Sequence, residues 1–353
     1  MKHRTPLAIV VMLVSFVLLL AACAPAPPEA PAETDGAAEQ EAAAEQEAAP
    51  EKLRVAVVLT YVTNDLSWNQ AMYEGAKALE ADGLIELAYT ESVTSPTDAE
   101  RIFRRYAEEG YDLIIGHSAT YKDAIFKVAE EYPDVNFAYS AGGATDTLEN
   151  LAALNAPHYE PAYLIGMIAA GVSETGKLGA VGALEIPSAI AEFRAFELGA
   201  HEINPDATVE VVFTGDFGDI AKGKATASTL ADHGVDFFIS NGDGPARGTI
   251  ELARERGLYA TGFFYDMSPL APEAVMVSLG WDGEKVLREL VSDVEGGTFR
   301  PAGYYHAGLA DGIYVPILNE ALRDQIPADV MEQVEAKQQA IANGEFEVPF
   351  ITD

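Results

Sequence analysis

The chain has 353 residues, with 22 Lys and Arg against 56 Asp and Glu and a net charge of −34 at pH 7. That excess of acid argues against a nucleic-acid polymer as partner, because phosphates need Lys and Arg. With 49% hydrophobic residues, a large core is expected only if it is divided between two lobes.

The chain opens with Lys2, His3 and Arg4, then the apolar stretch Leu7 to Leu20 and Ala21-Ala22-Cys23. A basic start, a short apolar stretch and small residues predict a secretory signal over 1–23, too short for a typical membrane span. Cys23 is the single cysteine, so no intrachain disulfide can form. Its setting, Leu20-Ala21-Ala22-Cys23, resembles the lipobox of bacterial lipoproteins, which implies a lipid on Cys23. Residues 24–51 hold eight acidic residues, no basic one and no large aliphatic or aromatic side chain. With nothing to bury, they are expected to form a disordered acidic Ala/Pro/Glu tether.

From residue 52 the pattern is strand and helix in alternation. Arg54 to Thr60 is a β-branched and apolar run that suits a strand buried on both faces. Thr63, Asn64 and Asp65 break it, and Trp68, Met72, Ala76 and Leu79 then recur at helical spacing, with Ser67 as a candidate cap. Strands are expected near Ile85–Thr90, Asp112–Gly116, Asn136–Tyr139 and Leu151–Leu154, with helices at Thr97–Glu109 and Tyr121–Tyr132 between them. A Gly-rich turn is expected at Ala141-Gly142-Gly143. The pattern restarts with a helix at Tyr159–Val172, a strand at Lys177–Ala183, and further pairs running to the strand Leu258–Phe264. A strand at Ala274–Leu279 and helices at Glu284–Glu295 and Val330–Ile341 are left over. Two such series predict an α/β chain of two lobes, each a parallel sheet with helices on both faces. The leftover elements predict several hinge crossings. Residues 52–156 and 265–305 are assigned to lobe 1, and 157–264 and 306–353 to lobe 2.

Catalytic signatures are scarce. None of the six histidines stands in a metal-binding spacing, and His201-Glu202 lacks its second histidine. Gly116-His117-Ser118-Ala119-Thr120 falls one glycine short of a nucleophile elbow. Phosphate-cradling glycine motifs are missing, and Gly242-Asp243-Gly244-Pro245 reads as a turn into a helix. No catalytic residue, metal or cofactor is therefore expected.

In open α/β sheets, ligands bind beyond the carboxyl ends of the strands. Those ends carry Asp65, Ser67, Trp68 and Asn69; Ser118 and Tyr121 after His117; Phe217 and Asp219; Asn241 and Asp243; Asp266 and Met267; and Trp281. Aromatic faces alternate with neutral or acidic hydrogen-bonding groups. Such a set suits a flat, uncharged ligand with several donors, such as a nucleobase, a nucleoside or a sugar.

Several stretches resemble the basic membrane protein family of solute-binding lipoproteins, which serve ABC importers. They include Asp65-Leu66-Ser67-Trp68-Asn69 with Glu74-Gly75-Ala76, and Glu109-Gly110-Tyr111-Asp112. Others are Tyr163-Leu164-Ile165-Gly166, Phe217 and Asp219 with Ala221-Lys222-Gly223-Lys224, Asp266-Met267-Ser268, and Gly308-Leu309-Ala310-Asp311-Gly312. The resemblance implies a periplasmic-binding-protein-like fold of type I. It also implies a purine or nucleoside ligand, separate ABC permease subunits as partners, and a monomer outside the bacterial cell membrane. It departs at Phe264, where nucleoside-binding members carry an Asp, and near Ser278 to Asp282, where they carry a Lys. Both departures tilt the expectation from ribose toward a free base. The pattern predicts a ligand held between Trp68 and Phe217, with Asp266 and Asn69 on its polar edge.

Overall fold

The computed structural model describes residues 52–140, 148–154, 157–299, 304–305 and 308–353. The expected signal, Cys23, the tether and the Ala141-Gly142-Gly143 turn lie outside them.

The first sheet is built from β1 (Leu53–Leu59), β2 (Ile85–Thr90), β3 (Leu113–His117), β4 (Asn136–Ser140), β5 (Leu151–Leu154) and β11 (Tyr304–Tyr305). Its order is β11-β5-β4-β3-β1-β2, and every pairing is parallel. The central strands are apolar along their length because helices cover both faces. Val55, Val57 and Leu59 of β1 pack to one side, and Ala56 and Val58 to the other. The covering helices are α1 (Trp68–Ala81), α2 (Pro96–Glu108) and α3 (Lys122–Glu131).

The second sheet comprises β6 (Lys177–Gly182), β7 (Thr208–Phe213), β8 (Phe237–Asn241), β9 (Tyr259–Phe264), β10 (Val275–Trp281) and β12 (Tyr314–Leu318), in the order β12-β10-β9-β8-β6-β7. Its helices are α4 (Tyr159–Val172), α5 (Pro187–Ile203), α6 (Ile220–Asp232), α7 (Asp243–Arg256) and α9 (Ala328–Ala342). The helix α4 is apolar nearly all round and buried nearly throughout, as expected of a helix sunk in a core. It crosses α5 backbone to backbone. A Cβ on Gly166 would stand 2.0 Å from the Phe196 carbonyl, and one on Gly199 1.9 Å from that of Tyr163.

Two expectations need correction. The segment 265–305 does not belong to one lobe, because β10 hydrogen-bonds in parallel to β9 in the second sheet. Its apolar run fits the interior of either sheet, so composition could not place it. Only the following α8 (Gly283–Glu295) and β11 return to the first lobe. There Gly75 lets α1 approach the backbone of α8 so closely that a Cβ would meet Glu284 N at 2.5 Å. The second correction is β12, which the sequence reading missed and which runs antiparallel to β10. Among the described strands, the chain therefore passes between the sheets three times, before α4, after β10 and after β11.

Candidate ligand-binding site

A cavity of about 230 Å³ lies between the carboxyl ends of the two sheets. At roughly 30 Å³ per molecule it has the volume of about eight waters. Trp68, Ser118, Phe217 and Asp243, four of the candidate ligand-binding residues of the sequence, line it. The cavity also takes His158, Asn241 and Phe264 into its wall. Among the described residues, no lining residue is a Lys or Arg, and Asp243 is the one acid.

The loop before α1 is caged by Asp65. Its carboxylate accepts the Ser67 amide at 2.9 Å, the Asn69 amide at 3.2 Å, the Gln70 amide at 3.0 Å and Asn69 Nδ2 at 2.7 Å. Asp65 thus satisfies the free amides of the first helical turn, the role first expected of Ser67. Ser67 makes no capping bond; its hydroxyl donates across the cleft to the Phe263 carbonyl at 2.9 Å. Asn69 is also spent inside the protein, where its Oδ1 accepts the Thr60 amide at 3.0 Å and the Thr60 hydroxyl at 3.1 Å. These bonds hold Leu66 at a φ of +58°, a left-handed conformation that costs energy for a side chain of its size.

The cage sets Trp68 on a platform of rings. His117 stacks on the indole at 4.0 Å and 14°, and Trp281 at 4.9 Å and 29°. His117 and Trp281 are only 5.2 Å apart, so Trp281 stands beside His117 and not across the indole from it. Trp68 itself lines the cavity. His117 is fully buried, and both ring nitrogens are used, Nδ1 with Ser140 Oγ at 2.7 Å and Nε2 with the Trp68 carbonyl at 3.0 Å. Burial pushes its pKa down to about 3, so the platform is neutral at any working pH. From the second lobe, Phe264 tilts onto Trp68 at 4.8 Å. Its φ of +57° is a second strained conformation at the cleft.

Besides Asp65, Ser67 and Asn69, four more expected site residues lie outside the cavity wall for identifiable reasons. Tyr121 is fully buried in the first lobe's core, where its hydroxyl bonds the Val93 carbonyl. Asp266 accepts the Ser268 amide at 2.9 Å and so shapes its own turn. Met267 is buried, with its amide bonded to Ser278 Oγ at 3.1 Å. Trp281 is one ring behind the cavity wall. Asp266 and Asn69 are thus absent from the cavity wall, whose lining includes Asp243, Asn241 and His158. Asp243 Oδ1 is buried without a hydrogen-bond partner. Desolvation first, then the charge of Asp65, pushes the Asp243 pKa up to about 7.

The Ser118 hydroxyl bonds Thr120 Oγ1 at 2.8 Å and accepts the Thr120 amide at 3.2 Å. The adjacent His117 has no nitrogen left to activate it.

Two α/β lobes joined by repeated crossings, with an aromatic cavity between their strand ends, define a two-lobed solute-binding protein. The pattern of ABC transporter substrate-binding proteins of the PnrA-like type, the Bmp family, matches residues 52–352. The chain belongs to that family, which is one of substrate-binding proteins and not of enzymes. A purine-binding protein of Brucella abortus is 32% identical over 84% of this chain and 83% of its own. A Haloferax volcanii protein named for glucose binding in an ABC transporter is 30% identical over 84% of this chain and 74% of its own. Among solved structures, a solute-binding protein of an ABC transporter system from Conexibacter woesei superposes with a TM-score of 0.72. It shares 27% identity and covers 85% of this chain and 99% of its own.

Proposed function

We propose that the protein captures a neutral, flat heterocycle, a purine base foremost, between Trp68 and Phe217 and delivers it to an ABC permease. The cavity wall carries the reading: among the described residues it holds aromatic rings from both lobes, neutral polar groups, one acid and no Lys or Arg. A phosphorylated or carboxylated ligand would find no cation there. A purine presents two faces for stacking and a polar edge for Asp243 and Asn241. The Brucella abortus relative, named for purine binding, supports the same ligand class. The ligand leaves unchanged, because neither Ser118 nor His117 is set up for catalysis. Calorimetry with adenine, guanine, adenosine and D-glucose tests this reading. A free base is expected to bind at about 1 μM or tighter, a binding energy near −8 kcal/mol. The Haloferax volcanii relative makes a sugar the second reading, and D-glucose binding without purine binding would establish it.

We infer further that the protein sits outside the cell membrane as a monomer held by lipid on Cys23. Among the described residues, no helix is long and apolar enough to cross a membrane. Cys23→Ala is expected to move the protein from the membrane to the soluble fraction. A variant that stays with the membrane would overturn the lipid anchor.

A further inference from the structure

Behind the cavity wall lies a buried carboxylate that ligand stacking does not use. Glu192 of α5 is fully buried, and its Oε1 has no hydrogen-bond partner. Its Oε2 accepts Asn241 Nδ2 at 2.5 Å; His158 Nδ1 lies 2.8 Å from it but outside hydrogen-bond geometry. An unpartnered carboxylate oxygen in a core is costly, so packing alone gives no reason for an acid here. Asn241 and His158 are themselves more than nine-tenths buried, yet both line the cavity.

Glu192 fixes which atom Asn241 offers. An amide has one acceptor end and one donor end. With Nδ2 committed to Glu192, Asn241 keeps its Oδ1, an acceptor, for the ligand. The carboxyl of Asp243, also in the cavity wall, offers a further acceptor beside it. Phe264 closes on the His158 imidazole edge-on at 5.5 Å and limits its rotation.

We propose that Glu192 is a positioning residue that makes this wall an array of acceptors, so that the pocket selects ligands presenting exocyclic or ring N–H donors. Among purines the preferred class is then amino-substituted, as in adenine or guanine. The proposal deepens the nucleobase reading and rests on it. A site built to hydrogen-bond a substrate amine rejects the analogue lacking it, because its buried acceptors are left unpaired.

The test is calorimetry with adenine and unsubstituted purine, which lacks the amino group. The native protein is expected to prefer adenine by about a hundredfold, the equivalent of two lost hydrogen bonds of about 1.4 kcal/mol each. Glu192→Ala should lower adenine affinity by at least about tenfold and that of purine far less, so the preference collapses. Asn241→Ala, which keeps Glu192 in place, should do the same and decides the matter if Glu192→Ala does not fold. Equal losses for both ligands would make Glu192 purely structural and overturn the proposal. Equal binding of both by the native protein would overturn it too, while the nucleobase reading stands. Binding of D-glucose in place of either purine, or of none of the three, would remove the nucleobase reading and the proposal with it.

Discussion

Phe217→Ala is expected to weaken purine binding by about ten- to a hundredfold and to leave the ligand-free melting temperature nearly unchanged, whereas Trp68→Ala is expected to lower both. The affinity loss follows from a stacking side chain, worth about 1–3 kcal/mol per base. The split follows from surroundings. Phe217 lies in the loop before α6 and lines the cavity. Trp68 rests on His117, Trp281 and Phe264, and its Nε1 donates to the His117 carbonyl at 3.3 Å. Truncating it opens a hole among three rings and orphans that bond. Losses for a buried aromatic run to about 3–5 kcal/mol, and for this half-buried one the lower end is expected. In a chain of this size that is a fall of several degrees. Calorimetry and thermal melts of both variants check the result. Unchanged affinity in both would overturn the stacking arrangement.

Asp243→Asn is expected to raise the melting temperature of the ligand-free protein at pH 8, and to matter little near pH 4. Desolvation and then Asp65 push the Asp243 pKa up to about 7, while an unfolded Asp titrates near 3.9. The unfolded state therefore binds fewer protons than the folded state between about pH 4 and pH 7. Stability from this site is complete below that window, falls as pH rises through it, and is level above it. The neighbours that bear on Asp243 are Asp65, Ser67, the Trp68 amide and Arg247, with Tyr61 beside it at the cavity mouth. Replacing the carboxyl by an amide removes the charge and with it the slope. A ligand N–H donated to Asp243 favours its charged form, so binding at pH 6.5 should release part of a proton. Calorimetry in buffers of different ionisation enthalpy measures that release. A melting profile of Asp243→Asn parallel to the native one across pH 4–8 would contradict the buried-acid account.

The sequence showed most of the scaffold and part of the site. Regular apolar runs such as Val55–Leu59 and Leu113–Ile115 read as strands because burial on both faces leaves no other pattern. Trp68, Ser118, Phe217 and Asp243 were found because polar and aromatic residues at strand ends stand out against those runs. His158 and Glu192 were not. His158 sits at the start of the largely apolar α4 and Glu192 within α5, and their meeting depends on the α4–α5 crossing that no local spacing encodes. Asn69 and Asp266 looked like ligand partners because their type and place were right. Their hydrogen bonds go instead to the turns that position the aromatic rings. β10 carries no mark of its sheet, since its lobe is decided by pairing with β9.

The central claim is that the cavity between Trp68 and Phe217 holds a purine base. Mass spectrometry of the small molecules released when the freshly purified protein is denatured tests it most directly. The account predicts an intact amino-substituted purine, near one per chain, and its loss from Phe217→Ala. A hexose released in the same proportion, with no purine, would contradict it.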